Sequence, residues 1–125
     1  MRRKNRNGKI YRQQLPVAQS NLKKVADENI SIAFGTDSGI PTRFMGYFEH
    51  LEMQMMADAG LTPGQILKSA TIDAAACLGL KRVGSLAPGY WADFIVLTED
   101  PLSDIRNTRK IESVFIGGNK LPSVK

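Results

Sequence analysis

An α/β chain is what the sequence predicts, and three features predict it. A helix-period segment leads directly into a short apolar run rich in β-branched residues, Ile30-Ser31-Ile32-Ala33-Phe34. Two further helical segments follow, each with start or stop signals. The last third then changes texture, to short apolar runs separated by Pro88-Gly89 and Gly117-Gly118.

Taken in order, Leu15 to Asn29 reads as a helix with Leu22, Val25 and Ala26 near the face of Leu15, and with Lys23, Lys24, Asp27 and Glu28 elsewhere. Asn29 suits a C-terminal stop. Ile30 to Phe34 has the length and flanks of a strand buried on both faces, as in a parallel sheet. A single parallel strand makes no sheet, so partner strands are expected from elsewhere. Gly35-Thr36-Asp37-Ser38-Gly39 is a turn with unusual backbone freedom, and Ile40 to Gly46 is loop.

Tyr47 to Ala59 is the second helix, with Phe48, Leu51, Met55 and Ala59 on one stripe. Gly60 suits its C′ position and Leu61 the apolar contact beyond it. Thr62-Pro63-Gly64-Gln65 begins another helix: Thr62 caps, Pro63 takes N1 and Gln65 closes a capping box. Ile66, Leu67 and Ala70 face a core, and Thr71 restarts a short helix through Cys77 that Gly79 ends. Ala92 to Leu97 and Ile111 to Ile116 read as strands around a turn-like Pro101 to Asn107. Gly117-Gly118 signals a hairpin into a last strand near Lys120-Leu121.

Charge is unevenly placed. Residues 1–12 carry Arg2, Arg3, Lys4, Arg6, Lys9 and Arg12 and no acid, which accounts for the net charge of +5. A nucleic-acid reader sets its basic residues on a folded face among aromatics. Only Tyr11 is near, so a solvated helix or chain end is favoured over nucleic-acid binding. No apolar run approaches the roughly 20 residues that span a bilayer, and no membrane partner is expected. The single cysteine, Cys77, lies in an Ala-rich helical stretch and reads as a small buried hydrophobe. One cysteine fits a reducing, cytoplasmic setting.

Three segments together resemble the C-terminal part of the metal-dependent amidohydrolase superfamily. Phe34-Gly35-Thr36-Asp37-Ser38-Gly39 resembles its last barrel strand and following loop. Leu61-Thr62-Pro63 with Ala70-Thr71 and Ala74-Ala75 resembles the helices after that loop. Gly84 to Leu97, with Asp100-Pro101-Leu102, Val114 and Gly117-Gly118, resembles the return into the family's small β domain. The imidazolonepropionase-like and prolidase-like subgroup fits best. The resemblance implies a slice of a distorted (β/α)₈ TIM barrel, its last helices and strand eight, over residues 1–80. Residues 81–125 are then the C-terminal strands of a small β-sandwich.

It also implies a chemistry. Such enzymes hydrolyse amide or peptide-type C–N bonds with one or two divalent ions, zinc first among them, that lower the pKa of bound water and polarise the carbonyl. Asp37 matches the aspartate after strand eight, which meets the metal or its water, takes the water's proton and passes it to the leaving amine. Read without the resemblance, Asp37 is a turn residue between two glycines. Ser38, Gly39 and Ile40 would line the substrate side. Arg43 suits a substrate carboxylate, although a solvated loop charge is the simpler reading. His50, the only histidine, matches no metal-ligand position of the family and reads as packed or at the surface. Tyr90, Trp91 and the cluster Met53, Met55 and Met56 read as packing residues.

Catalytic metal sites take three or more protein ligands, and this chain offers one matched carboxylate. The family's His-x-His pair, bridging lysine or carboxylate and two later histidines would lie upstream of Met1. The expectation is therefore an inactive chain on its own, holding no metal stably and completed by an N-terminal barrel segment. Dipeptides or acylated amino acids are the expected substrate class, and the unpaired strand is expected to promote self-association. The competing reading is a non-catalytic truncated module that binds a partner, such as a polyanion through residues 1–12.

Overall fold

The structure, a computed structural model, describes residues 6–39, 41 and 44–122. Its elements run α1 (Arg6–Asp27), α2 (Tyr47–Asp58), α3 (Pro63–Lys68), a π-helical turn (Ser69–Asp73), α4 (Ala74–Cys77), β1 (Phe94–Leu97), a 3₁₀ turn (Ile105–Arg109), β2 (Ile111–Ile116) and β3 (Asn119–Lys120). The α/β composition follows the sequence reading. Among the described residues no helix is long and apolar enough to cross a membrane.

Helix α1 begins well before Leu15 and runs through Pro16. A start at Leu15 is natural from sequence because proline favours a first helical turn, but here the helix carries it internally. The stop is as expected. Asn29 takes a left-handed φ of 55°, which an asparagine tolerates, and the Ile30 N–H donates to the Val25 carbonyl at 3.2 Å.

No strand forms at Ile30 to Phe34. The segment is extended, and its side chains alternate between exposed and half-buried from Ser31 to Gly39. Ile32 and Phe34 pack on the core while Ile30, Ser31 and Ala33 are exposed, so one face is covered rather than two. The reason is that a strand needs a neighbour to complete its ladder. Instead the Phe34 N–H donates to the Ser69 carbonyl at 3.0 Å, in the π-helical turn.

Helix α2 ends as its sequence dictates, with Gly60 at φ 99° just past it. Its buried face is rotated from the expected stripe: Met56 is the buried residue, with Met53, Ala57 and Ala59 packed beside it. The helix carries apolar residues all round, so periodicity alone does not select a face. The start of α3 follows the expected capping box. Thr62 Oγ1 accepts from the Gln65 N–H at 3.2 Å, and Gln65 Oε1 accepts from the Thr62 N–H at 2.9 Å. Thr71 does not restart a helix; α3 continues through the π-helical turn into α4. Gly84 (φ 81°) lies against that turn, where a Cβ would stand 2.8 Å from the Thr71 carbonyl oxygen.

The core is small: Ala26, Met56, Leu61, Ile66 and Ile105, with Leu22, Leu67 and the neighbours named above. Ile105 brings the C-terminal third into it. Cys77 is exposed rather than buried, because α4 lies at the edge of this core. Trp91 (56% exposed) and Tyr90 (38%) are likewise not packed away.

The β unit is a three-stranded antiparallel sheet in the order β1-β2-β3. Phe94 opposes Phe115, Ile95 opposes Val114 and Val96 opposes Ser113, and the register shifts between Val96 and Leu97. The Phe94 and Phe115 rings stack at 4.5 Å. Asp93 Oδ1 accepts from the Gly117 N–H at 2.6 Å, fixing the β2–β3 hairpin against the start of β1.

Candidate active site

The loop after the extended segment is built around Asp37. Its anchor on one side is the bond from Phe34 to Ser69. Asp37 itself is exposed and holds a left-handed backbone, φ 54°, with Gly39 at φ 100° two residues on. Aspartate is one of the few residues that tolerate this region. The half-buried residues on either side of it, Thr36 and Ser38, point to a common partner.

That partner is Glu49, in the first turn of α2. The Thr36 hydroxyl donates to Glu49 Oε1 at 3.0 Å, and the Gly46 N–H donates to Glu49 Oε2 at 2.6 Å. Thr36 Oγ1 also accepts from the Ser38 N–H at 3.2 Å and lies 2.6 Å from Ser38 Oγ. The bond from its own backbone N–H first and then the Ser38 hydroxyl hold the Glu49 carboxyl below its ordinary value; desolvation opposes them, and Thr36 and Gly46 add smaller lowering contributions. Thr36 stands in the glycine-flanked turn the sequence marks, but Glu49 is not marked there at all. The available signal was an acid three residues after Gly46, the spacing of a capping residue that reaches back to a helix start.

The loop thus unites Thr36, Ser38 and Glu49 about Asp37. Ile40 and Arg43 lie outside the described residues, as do residues 1–5 of the basic stretch. His50 joins a different contact, with its Nδ1 2.9 Å from Thr108 Oγ1 of the 3₁₀ turn. Burial first and then the Arg109 charge push its pKa down, against Glu49. It is a partly packed histidine bonded to a neighbouring element. Among the described residues no three His, Cys, Asp or Glu side chains come together as a group able to hold a metal. One carboxylate falls short of the three ligands a catalytic metal takes, so the described residues do not by themselves fit such an ion.

Comparison with known proteins decides the family, because the model of the Amidohydrolase family matches residues 5–121. The chain belongs to the amidohydrolase family. Among curated amidohydrolase relatives, ochratoxinase of Aspergillus niger is 34% identical over 113 residues, covering 82% of this chain and 22% of its own length. Imidazolonepropionase of Deinococcus deserti is 34% identical over 95 residues, covering 75% of this chain and 23% of its own. A solved Xaa-Pro dipeptidase with methionine in its active site superposes with a TM-score of 0.73 at 25% identity, over 84% of this chain and 25% of that one. The structure of the A. niger ochratoxinase superposes at 0.71 with 30% identity, over 82% of this chain and 24% of that one. The relatives thus include prolidase and imidazolonepropionase types, and the chain spans about a quarter of their length.

Proposed function

We propose that this chain is the C-terminal portion of a metal-dependent amidohydrolase that cleaves amide or peptide-type C–N bonds, and that Asp37 is the carboxylate it brings to the reaction. The family match across residues 5–121 carries this reading. In it, residues 1–80 supply the last helices and strand eight of the barrel, and residues 81–125 supply strands of the small β-sandwich. Asp37 then stands where the chain leaves a barrel strand, the end at which catalytic groups of such barrels collect. Its carboxylate takes a proton from the attacking water and returns it to the departing amine nitrogen. Ser38 and Gly39, with Ile40 and Arg43, form the substrate side of the loop.

An upstream barrel segment supplies the remaining ligands of the divalent ion, zinc being the first candidate, and the neighbours of the extended Ile30 to Phe34 segment. The large apolar side chains left in solvent, among them Phe44 at 72%, Met45 at 78% and Leu78 at 73% exposure, support a partner surface or self-association. Small amides, dipeptides or acylated amino acids are the substrate class.

The test compares this chain with a form extended by upstream family sequence, assaying metal content and hydrolysis of dipeptide and N-acyl amino acid panels. The extended form is expected to hold metal and turn over substrate, and Asp37→Asn to abolish turnover. Stoichiometric metal and turnover in the 125-residue chain alone, or full activity in Asp37→Asn, would sink the reading.

A further inference from the structure

We propose that Glu49 is a positioning residue for the Asp37 carboxylate, acting through the hydroxyls of Thr36 and Ser38. The inference rests on the catalytic reading of Asp37. Asp37 occupies a left-handed backbone conformation, φ 54°. Such conformations persist where the surroundings over-determine them. Glu49 is where this loop meets a helix. Its Oε1 receives the Thr36 hydroxyl at 3.0 Å, and Thr36 Oγ1 in turn receives the Ser38 N–H at 3.2 Å, so the residues before and after Asp37 are tied to each other and to α2.

The second oxygen matters as much as the first. Glu49 Oε2 receives the Gly46 N–H at 2.6 Å, at the point where the chain turns into α2 with Gly46 at φ 86°. One carboxylate therefore spans both ends of the excursion from Thr36 to Gly46. The depressed pKa of Glu49 keeps it an ionised acceptor, and bonds to a charged acceptor are the stronger kind. A carboxylate that must take a proton from a water loses rate steeply when displaced by as little as about 1 Å. Helix α2 is a rigid base for the Asp37 loop, and Glu49 is the connection between them.

The experiment uses Glu49→Ala, Glu49→Gln and Thr36→Val in both the 125-residue chain and the form extended upstream. Amide hydrogen exchange is the first readout, because it needs no substrate. Glu49→Ala and Thr36→Val are expected to speed exchange across residues 36–39 while leaving the interior of α2 protected. Turnover is the second, on the best-hydrolysed member of the dipeptide panel. Glu49→Ala is expected to lower kcat about tenfold or more with KM changed less than about threefold. Glu49→Gln, which keeps an acceptor for Thr36, is expected to recover part of it. Adding Thr36→Val to Glu49→Ala is expected to cost little more, since both cut one link.

Unchanged exchange at residues 36–39, or loss of protection in α2 to the same extent, overturns the positioning role. If Glu49→Ala does not fold, Thr36→Val decides the matter from the other end of the link. If Asp37→Asn keeps full activity while Glu49→Ala loosens the loop, the catalytic assignment of Asp37 has failed and the link between Glu49 and the loop stands. If Asp37→Asn is inactive while Glu49→Ala keeps its kcat, the positioning role has failed alone.

Discussion

The imidazole of His50 and the hydroxyl of Thr108 are joined at 2.9 Å across 58 residues of sequence. The Thr108 hydroxyl gives its own proton to the Ile105 carbonyl at 2.8 Å, so it accepts from His50, and the imidazole proton sits on Nδ1. This contact, with the Arg109 guanidinium 5.8 Å from the Tyr47 ring centroid, fastens α2 to the C-terminal third. Its pH response follows from the direction of the His50 shift. Burial and Arg109 hold the folded pKa below the ordinary 6.5, so the unfolded chain binds more protons in the window just below that value. This contribution to stability is full above the unfolded pKa and is lost as pH falls toward the folded one. Urea midpoints are expected to drop between about pH 7.5 and about pH 5.5, and less so in His50→Asn. Parallel curves for the two proteins would rule His50 out as the source.

Two glycines with nearly the same φ separate strain from space. Gly84 and Gly89 have φ 81° and 84°, but only at Gly84 does an added Cβ meet backbone, 2.8 Å from the Thr71 oxygen. A side chain at positive φ costs roughly 1–3 kcal/mol at either site. The overlap adds about 1–3 kcal/mol at Gly84. Thermal melts of Gly84→Ala and Gly89→Ala are expected to rank in that order, and equal losses would show that the loop moves aside.

Among the described residues, Ile66 is the one large apolar side chain with no exposure at all. Ile66→Ala is expected to cost about 2–5 kcal/mol. In a core this small that is enough to leave a large unfolded fraction, detected by near-ultraviolet circular dichroism. Ile95→Ala, at a position 55% exposed, is expected to cost under about 1 kcal/mol, as surface changes do. Similar losses for both would show that Ile95 is covered in solution.

At the start of α3, Thr62→Ala removes the acceptor for the Gln65 N–H and is expected to cost about 1 kcal/mol. Thr62→Ser keeps the oxygen and is expected to cost a few tenths at most. Chemical denaturation resolves the difference, and equal stability of all three proteins would mean that Pro63 alone sets the helix start.

What the residues disclosed, and what they withheld, divides by the range of the forces. Caps and turns rest on neighbours within four positions, so Thr62, Gln65, Asn29, Gly60 and the Gly117-Gly118 hairpin were all readable in advance. The strand at Ile30 to Phe34 was readable as extended chain but not as ladder, since pairing belongs to whatever lies beside it. The buried face of α2 was ambiguous because Phe48, Leu51 and three methionines encircle that helix, and Met56 is selected by a core assembled from Ala26, Leu61, Ile66 and Ile105, residues spread along the chain. Asp37 stood out through its glycine-flanked turn and its likeness to a family. Glu49 did not, because an acid in a first helical turn has an ordinary local use, and its bond to Thr36 is visible only in three dimensions.

The bond from Phe34 to Ser69 ties together two elements that a linear map would treat as unrelated. The widened turn from Ser69 to Asp73 offers a carbonyl to the extended segment just ahead of Asp37. Unwinding that turn and releasing the segment are therefore one event. The Phe34 amide is expected to trade its proton for deuterium on the same clock as the turn, making one hydrogen a timekeeper for two distant stretches of the chain.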